Sequence, residues 1–386
     1  MEQRVLTTDE EFEALRPDWN ALHEDGRGTP YQAFDWLFSW WKVYRDLVRM
    51  RLLVLRDRDR LCGVVPLFIE TKKVAGFSLR RLRMMGELEI SGSYEPLCLD
   101  HCTNDVAGAS AELITQLLKN REVDVADFHH FSSDSPVFKK LSDEVKKKEL
   151  LVRTESRSVV RLVLRPASDW RAYALTLSRH DRQLRSKYER KLFSSGVELE
   201  KIDGCDNEAM FQDFVQLHSR AMAARSVAGH FASKAHYGEF LKVISSTSSP
   251  TVQPRWFFLK KDGERFAAIL AFYSHKYCSI YLTGRNPDHE LARYSPGIVL
   301  MNMVIRDAIE GGYTTIDLGE GGTPYKFTLG AEDEGFGRLT IARRHISPFT
   351  IMPYFILLAF HRSALWKNYV EPTVQRWRNS QSTRKG

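Results

Sequence analysis

The chain has 386 residues, of which 43% are apolar and 27% charged, the proportions of a soluble globular protein long enough for two domains. No stretch reaches the ~18 uninterrupted apolar residues of a membrane span, and the acidic start "MEQRVLTTDEEFEALRPDW" lacks the basic start and apolar core of a secretory signal. The net charge of +7 resides in the tail: residues 342–386 hold eight Lys/Arg against one acid, Glu371, while the preceding 341 residues hold 48 of each sign, so nucleic acid is not an expected partner.

Taken in chain order, "DEEFEALRPDWNALHE" and "PYQAFDWLFSWWKVY" carry apolar residues at helical spacing, with an interruption expected at Pro17. "RLLVL" (51–55) and "LCGVVPLFIE" (61–70) flank the charged turn Arg56–Arg60 and read as a hairpin. Residues 105–119 and 136–149 read as helices, with a short strand at 124–129 between them. Five cysteines (Cys62, Cys98, Cys102, Cys205, Cys278), an odd number spread thinly, suit a reducing cytoplasm. The run "CLDHC" with Cys98, His101 and Cys102 is half a metal site with no second half, so no metal is expected.

The second region repeats the plan. Residues 208–226 and 232–245 read as helices, and "WFFLK" (256–260) and "RFAAILAFYSH" (265–275) flank the turn Lys261–Glu264, whose Asp262-Gly263 suits a tight hairpin. Residues 51–68 align with 256–273 without a gap, Asp57 meeting Asp262 and Arg60 meeting Arg265, which points to an internal duplication. A third strand, 277–285, ends at Arg285. Then Ser295 suits a helix N-cap, Pro296 the first helical position, and Gly311-Gly312 the stop of the apolar helix "IVLMNMVIRDAI". "YTTIDL" reads as a strand ending at Asp317, followed by the glycine-rich "GEGGTPYK".

A buried helix whose N-terminus faces a strand end favours phosphate through its free N–H groups and dipole, and Gly297 leaves room for it; the alternative is a capped core helix that binds nothing. Gly319, Gly321 and Gly322 either let the chain turn or let a ligand approach it. His218, on its helix, is either a general base or a structural polar residue. The basic helix "RHDRQLRSKYERKL", with Arg182 and Arg185, is either an anion clamp or a solvated helix, and Arg285 is open to the same two readings.

The order hairpin, third strand, Ser295-Pro296-Gly297 helix, glycine stop and "DLGEGGTPYK" resembles the acyltransferase half of the GNAT superfamily. More narrowly it is similar to the CelD/BcsL group, which serves cellulose or exopolysaccharide biosynthesis and is related to the FemABX-like two-half proteins. The resemblance covers residues 175–330 and is architectural over 1–150. It implies an α/β fold of tandem GNAT-like halves, each a twisted, mostly antiparallel sheet flanked by helices. The halves are expected at 1–165 and 166–345, with a basic amphipathic tail at 346–386.

It also implies an acyl donor, acetyl-CoA or another acyl-CoA, and a saccharide or envelope-precursor acceptor. Catalytic roles fall on Tyr325 (proton donor to the leaving thiolate), Lys326 (charge stabiliser), Asp317 and His218; Asp317 can equally cap the turn. Donor binding falls on Arg293, Ser295, Gly297, Gly319 and Gly321, and substrate binding on Arg182, Arg185 and Arg285. The GNAT donor loop carries a glycine where this chain has Pro296. Alternatives are a Fem-like transferase using aminoacyl-tRNA and a non-catalytic scaffold of a polysaccharide synthesis complex. The tail, with Phe355, Leu357, Leu358 and Phe360 beside Arg362, Lys367, Arg376 and Arg378, suits either docking on the body or peripheral contact of a cytoplasmic enzyme with the inner membrane.

Overall fold

The computed structural model describes residues 1–26, 28–74, 77–89, 92–156, 161–166, 169–204, 207–247 and 249–344. The tail at 346–386 and Cys205 lie outside the described residues. In chain order the strands are β1 (Glu2–Leu6), β2 (Val48–Asp57), β3 (Arg60–Val74), β4 (Phe77–Met84), β5 (Leu97–Cys98), β6 (Val125–Ser132), β7 (Leu151–Ser156), β8 (Arg161–Leu164), β9 (Glu198–Asp203), β10 (Gln253–Lys261), β11 (Glu264–Ser274), β12 (Tyr277–Arg285), β13 (Thr315–Glu320), β14 (Glu332–Asp333) and β15 (Phe336–Ala342). The helices are α1 (Asp9–Ala14), α2 (Arg16–Asp25), α3 (Phe34–Tyr44), α4 (Thr103–Lys119), α5 (Pro136–Lys146), α6 (Trp170–Thr176), α7 (Arg179–Phe193), α8 (Glu208–Ala223), α9 (His230–Ser233), α10 (Tyr237–Ser246), α11 (Pro296–Glu310) and α12 (Pro324–Phe327). Among the described residues no helix is long and apolar enough to cross a membrane.

Contacts divide the chain into two units, one formed by residues 1–158 and completed from Gly335 onward, the other by 159–334. The structure thus draws the boundaries elsewhere than at 165 and 345. β8 pairs with β13 in the second sheet, and β15 inserts between β6 and β7 in the first. The reason lies in β15 itself: every residue of "FGRLTIA" is buried, so the strand is stable only inside a sheet covered on both faces.

In the first unit the sheet order is β1-β2-β3-β4-β6-β15-β7, with β5 on β3. α4 makes the crossover between the parallel pair β4 and β6. One face of this sheet carries buried charge. Arg338 donates Nε and Nη2 to the two oxygens of Asp127 at 2.8 and 2.9 Å, Arg81 pairs with Glu70, and Arg83 donates to Glu87 Oε2 at 3.2 Å. The backbone N–H of His129 donates to Glu87 Oε1 at 2.6 Å. Burial pushes the Glu87 carboxyl up to about 7, against the pull of Arg83.

The second sheet runs β14-β8-β13-β12-β11-β10-β9, with β12 and β13 parallel and joined through α11. The two units therefore share a hairpin, a third strand, a crossover helix and a parallel partner. The gapless alignment of the hairpins, however, is one residue out of register. The turns and bulges of β2–β3 (Asp57↔Arg60; shift at Leu55/Arg56) match those of β10–β11 (Lys261↔Glu264; shift at Leu259/Lys260), so Asp57 corresponds to Lys261 rather than Asp262. A slip of one residue exchanges the two faces of a strand, so the charge matches in that alignment carry no structural meaning; the duplication rests on topology. The helix expected at 232–245 is two pieces, α9 and α10.

Asp127 lies at the centre of the first unit's charge layer and is fully buried. Asp127→Ala would leave Arg338 without its bidentate partner inside the protein, and breaking such a pair costs about 3–5 kcal/mol. Urea unfolding is expected to show a loss of that size; a loss below ~1 kcal/mol would mean the layer relaxes or hydrates.

Candidate active site

The ladder between β12 and β13 contains only Tyr277↔Thr315, Cys278↔Ile316 and Ser279↔Asp317. Beyond Ser279 the two strands part, β12 following β11 to Arg285 and β13 following β8. The cause is local. The pairing of β11 with β12 shifts between Leu270↔Leu282 and Ala271↔Ile280, which leaves Tyr281 as an extra residue. Such a bulge bends and re-aims its strand.

Past the bulge, Asn286 N–H donates to Phe266 O at 2.8 Å in register with the ladder. Antiparallel alternation then directs Gly284 toward β11 and turns the N–H and C=O of Thr283 and Arg285 outward, into the gap. A row of backbone donors directed into a gap between strands is suited to polarise a carbonyl.

α11 starts beside this gap. It fills the core of the second unit with Val299, Leu300, Val304, Ile305 and Ala308. Each fully buried Val, Leu or Ile contributes about 1.5–3 kcal/mol, so the helix has little freedom to shift. Ser295 occupies the N-cap position but in the left-handed region (φ 50°, ψ 54°), and its side chain makes no capping bond; the hydroxyl cap expected from the sequence is not formed. Instead its carbonyl accepts from Ile298 and Val299 N–H at 2.9 and 3.2 Å. A methyl group on Gly297 would meet only the Arg285 side chain, at 3.8 Å from Cδ. Arg285 therefore lies along the first turn of α11, adding a guanidinium to the positive pole of the helix. Arg293 is exposed and lies over the Tyr294 ring at 5.0 Å.

The glycine loop proves to be a turn held from inside. Gly319 and Gly321 have φ of 75° and 96°, a region other residues enter only with strain. Asp317 is buried; its Oδ1 accepts from Gly319 N–H at 2.8 Å and its Oδ2 from the Tyr277 hydroxyl at 3.0 Å. Lys326 is buried too, with Nζ donating to Gly319 O at 3.2 Å and Glu320 O at 2.9 Å. Burial lowers its pKa, against the opposing pull of Asp317 and Glu320. Tyr325 is half-buried against the core, and burial raises its phenol above the ordinary range. Lys326 is thus a clamp on the loop in this structure.

Two of the arginines expected to bind substrate do structural work. Arg185 is buried, with Nη1 donating to Asn302 Oδ1 at 2.9 Å and Nη2 to Thr328 Oγ1 at 2.8 Å, tying α7 to α11 and to the end of α12. Burial lowers its pKa. Arg182 donates to Ala174 and Leu175 carbonyls at 3.4 and 3.3 Å, covering the C-terminus of α6.

His218 reaches the gap. α8 lies so close on β12 that a methyl group on Gly284 would come within 2.7 Å of His218 N and 2.9 Å of Leu217 C. The imidazole Nδ1 then bonds Thr283 O at 2.8 Å, and Nε2 meets His230 Nδ1 at 3.2 Å. His230 was not singled out by the sequence, in which it follows His218 by twelve positions. Gly284 did leave a signal, since an isolated glycine in a strand marks close backbone approach. Burial lowers both imidazoles; His230, pressed further by Lys234 and His218, falls to about 3. Among the described residues no group of His, Cys, Asp and Glu is arranged to hold a metal ion.

Residues 178–327, which lie within the second unit, match the sequence profile of the acetyltransferase (GNAT) domain. In fold, the chain is similar to FemX (10% identity, 87% of this chain, 97% of that one, TM-score 0.59). It is also similar to the C-terminal domain of a chain described as a lysylphosphatidylglycerol synthetase from Agrobacterium fabrum (14%, 90% and 97%, TM-score 0.54) and to L-PGS from Bacillus licheniformis (12%, 90% and 97%, TM-score 0.51). At these identities the likeness is one of fold. No curated protein matches the sequence.

Because His230 is neutral in the fold down to about pH 3 but protonates near 6.5 when unfolded, its stabilising contribution is complete above pH 6.5 and is lost as pH falls. His218 acts with the same sign. Unfolding free energy is therefore expected to fall more steeply below pH 6.5 in the wild type than in His230→Asn, by up to about one bound proton. Equal slopes would contradict a depressed imidazole.

Proposed function

We propose that the second unit is an acyltransferase that moves an acyl group from a CoA thioester to a hydroxyl or amine. The observation that carries this reading is the parting of β12 and β13 beside the N-terminus of α11, within the stretch that matches the GNAT profile. The donor carbonyl accepts from the outward N–H groups of β12, and its phosphates lie at the α11 N-terminus with Arg285. The acceptor X–H attacks the carbonyl carbon; the C–X bond forms, the C–S bond breaks, and the electron pair leaves on sulfur. The proton on X goes to a base, and the Tyr325 phenol returns one to the thiolate. Asp317 and Lys326 hold the loop that presents Tyr325.

In the first unit the parallel pair β4 and β6 is joined over two residue pairs, and the His129 N–H of β6, the counterpart of β13, is bonded to the unit's own Glu87. The donor site is assigned to the second unit because the GNAT profile matches there. That the acceptor is a saccharide or cell-envelope precursor of exopolysaccharide or cellulose synthesis rests on the resemblance to the CelD/BcsL group alone.

A second reading stands beside the first: an aminoacyl-tRNA donor, as in a Fem-like transferase. It is favoured by the overlap of this fold with nearly the whole of the FemX chain, of the Agrobacterium fabrum C-terminal-domain chain and of the L-PGS chain. The balanced charge of the first 341 residues weighs against a broad RNA surface.

Thermal unfolding of the full chain separates these readings, since a ligand held at 100 times its Kd adds about 2.7 kcal/mol of stability. The expected result is a raised melting temperature with acetyl-CoA and none with charged tRNA; the reverse selects the tRNA donor, and no shift with either leaves a scaffold. With an active donor, Tyr325→Phe is expected to lower kcat at least ~10-fold with little change in donor KM. Near-normal kcat would remove the phenol from the mechanism. Gly297→Val is expected to weaken donor binding, measured by titration calorimetry.

A further inference from the structure

His218 was the natural candidate for general base, but both of its nitrogens are already engaged. A backbone carbonyl only accepts, so the 2.8 Å bond to Thr283 O requires the hydrogen of His218 on Nδ1. In the neutral ring Nε2 then holds a lone pair. The 3.2 Å contact from His230 must in turn be an Nδ1–H donating to it. That leaves the second nitrogen of His230, Nε2, as the basic end of the pair. The His230 ring is only half-buried, stacked on Tyr237 at 5.2 Å and 24°. It also feels the carboxylate of Glu320, at the end of β13 where Lys326 clamps the loop.

We propose that the base of this site is a two-histidine relay, in which Nε2 of His230 takes the acceptor's proton and His218 is the positioning residue that sets its tautomer. The relay is anchored on β12 through Thr283 and lies within electrostatic reach of Glu320 on β13. It rests on the acyltransferase reading above for the identity of the proton donor. The step balances. As X bonds the acyl carbon, the X–H proton passes to His230 Nε2. His230 Nδ1–H can then shift to His218 Nε2, so the positive charge moves to the ring bonded to Thr283 O. The leaving group takes the electron pair of the broken bond, and the relay is reset when the proton is lost to solvent.

The charged groups facing the pair are Arg225 after α8, Lys234 after α9 and Glu320 on β13. Burial first, and the two cations after it, keep both rings neutral at physiological pH; the carboxylate steadies the cation once it forms. A relay held neutral in this way has no acid limb near pH 6.5 of its own in a kcat profile.

The tautomer is tested without turnover. In the full chain labelled with 15N-histidine at pH 7, both His218 and His230 are expected to show a protonated Nδ1 and an unprotonated Nε2. A proton on His230 Nε2 overturns the proposal. In turnover, His230→Gln keeps an N–H for His218 but has no basic nitrogen, and is expected to lose about 10²-fold or more in kcat at a near-native melting temperature. His230→Ala is expected to be partly rescued by free imidazole, in proportion to its neutral fraction, which a merely structural histidine would not be. Wild-type kcat in His230→Gln, or lost activity in His230→Ala that imidazole leaves unchanged, overturns the relay. If the wild type transfers from no donor, the acyltransferase reading fails instead, and the 15N result still judges whether His230 carries the free basic nitrogen.

Discussion

The second unit depends on the parting of β12 from β13 after three residue pairs. Parallel strands in one sheet ordinarily continue side by side, because each backbone group left without a partner inside a protein is costly. Here the bulge at Tyr281 bends β12 away, and what would be a defect becomes a set of donors directed into a gap. The rest of the unit holds that gap open. α11 supports it from the core, Gly284 lets α8 press onto β12, and Asp317 and Lys326 fix the turn in which β13 ends.

The first unit shows the same architecture put to another use. Its parallel pair is joined by α4 as the second is by α11, but the region beside β6 is filled with charge. Glu87 accepts the backbone N–H of His129, and Asp127 is locked by Arg338 from β15. Buried ionic layers of this kind contribute little net stability compared with apolar packing, but removing one member is costly. They therefore hold a sheet in one arrangement. The strand that supplies Arg338 comes from the far side of the second unit in sequence, so the first sheet is completed only after the second has been synthesised.

The polar groups of the second unit divide by what they touch. Arg185, Lys326 and Asp317 have their bonding capacity directed at the protein's own backbone and side chains. Arg285 lies beside the first turn of α11, and the His218–His230 pair is bonded to β12 through Thr283 O. A buried lysine bonded to two carbonyls is a poor charge carrier for a passing substrate, since moving it would leave both carbonyls and its own charge unsatisfied.

The sequence by itself determined the periodic elements and their order: the hairpins, the third strand, the apolar helix opened by Pro296 and stopped by Gly311-Gly312, and the turn at Gly319–Gly321. These follow from side-chain spacing and from φ values that few residues tolerate, both local properties of the chain. The α/β class and the tandem GNAT-like halves were what the resemblance carried by the order of those elements implied. Tertiary structure alone decided the hairpin register, because a one-residue slip changes no composition. It placed β15 in the first sheet, because pairing partners 200 residues apart leave no local trace. It also decided which polar residues face outward and which are clamps. Lysine, arginine and aspartate read alike in a sequence whether they meet a ligand or their own backbone; burial and hydrogen-bond geometry separate the two, and both exist only once the strands and helices have packed.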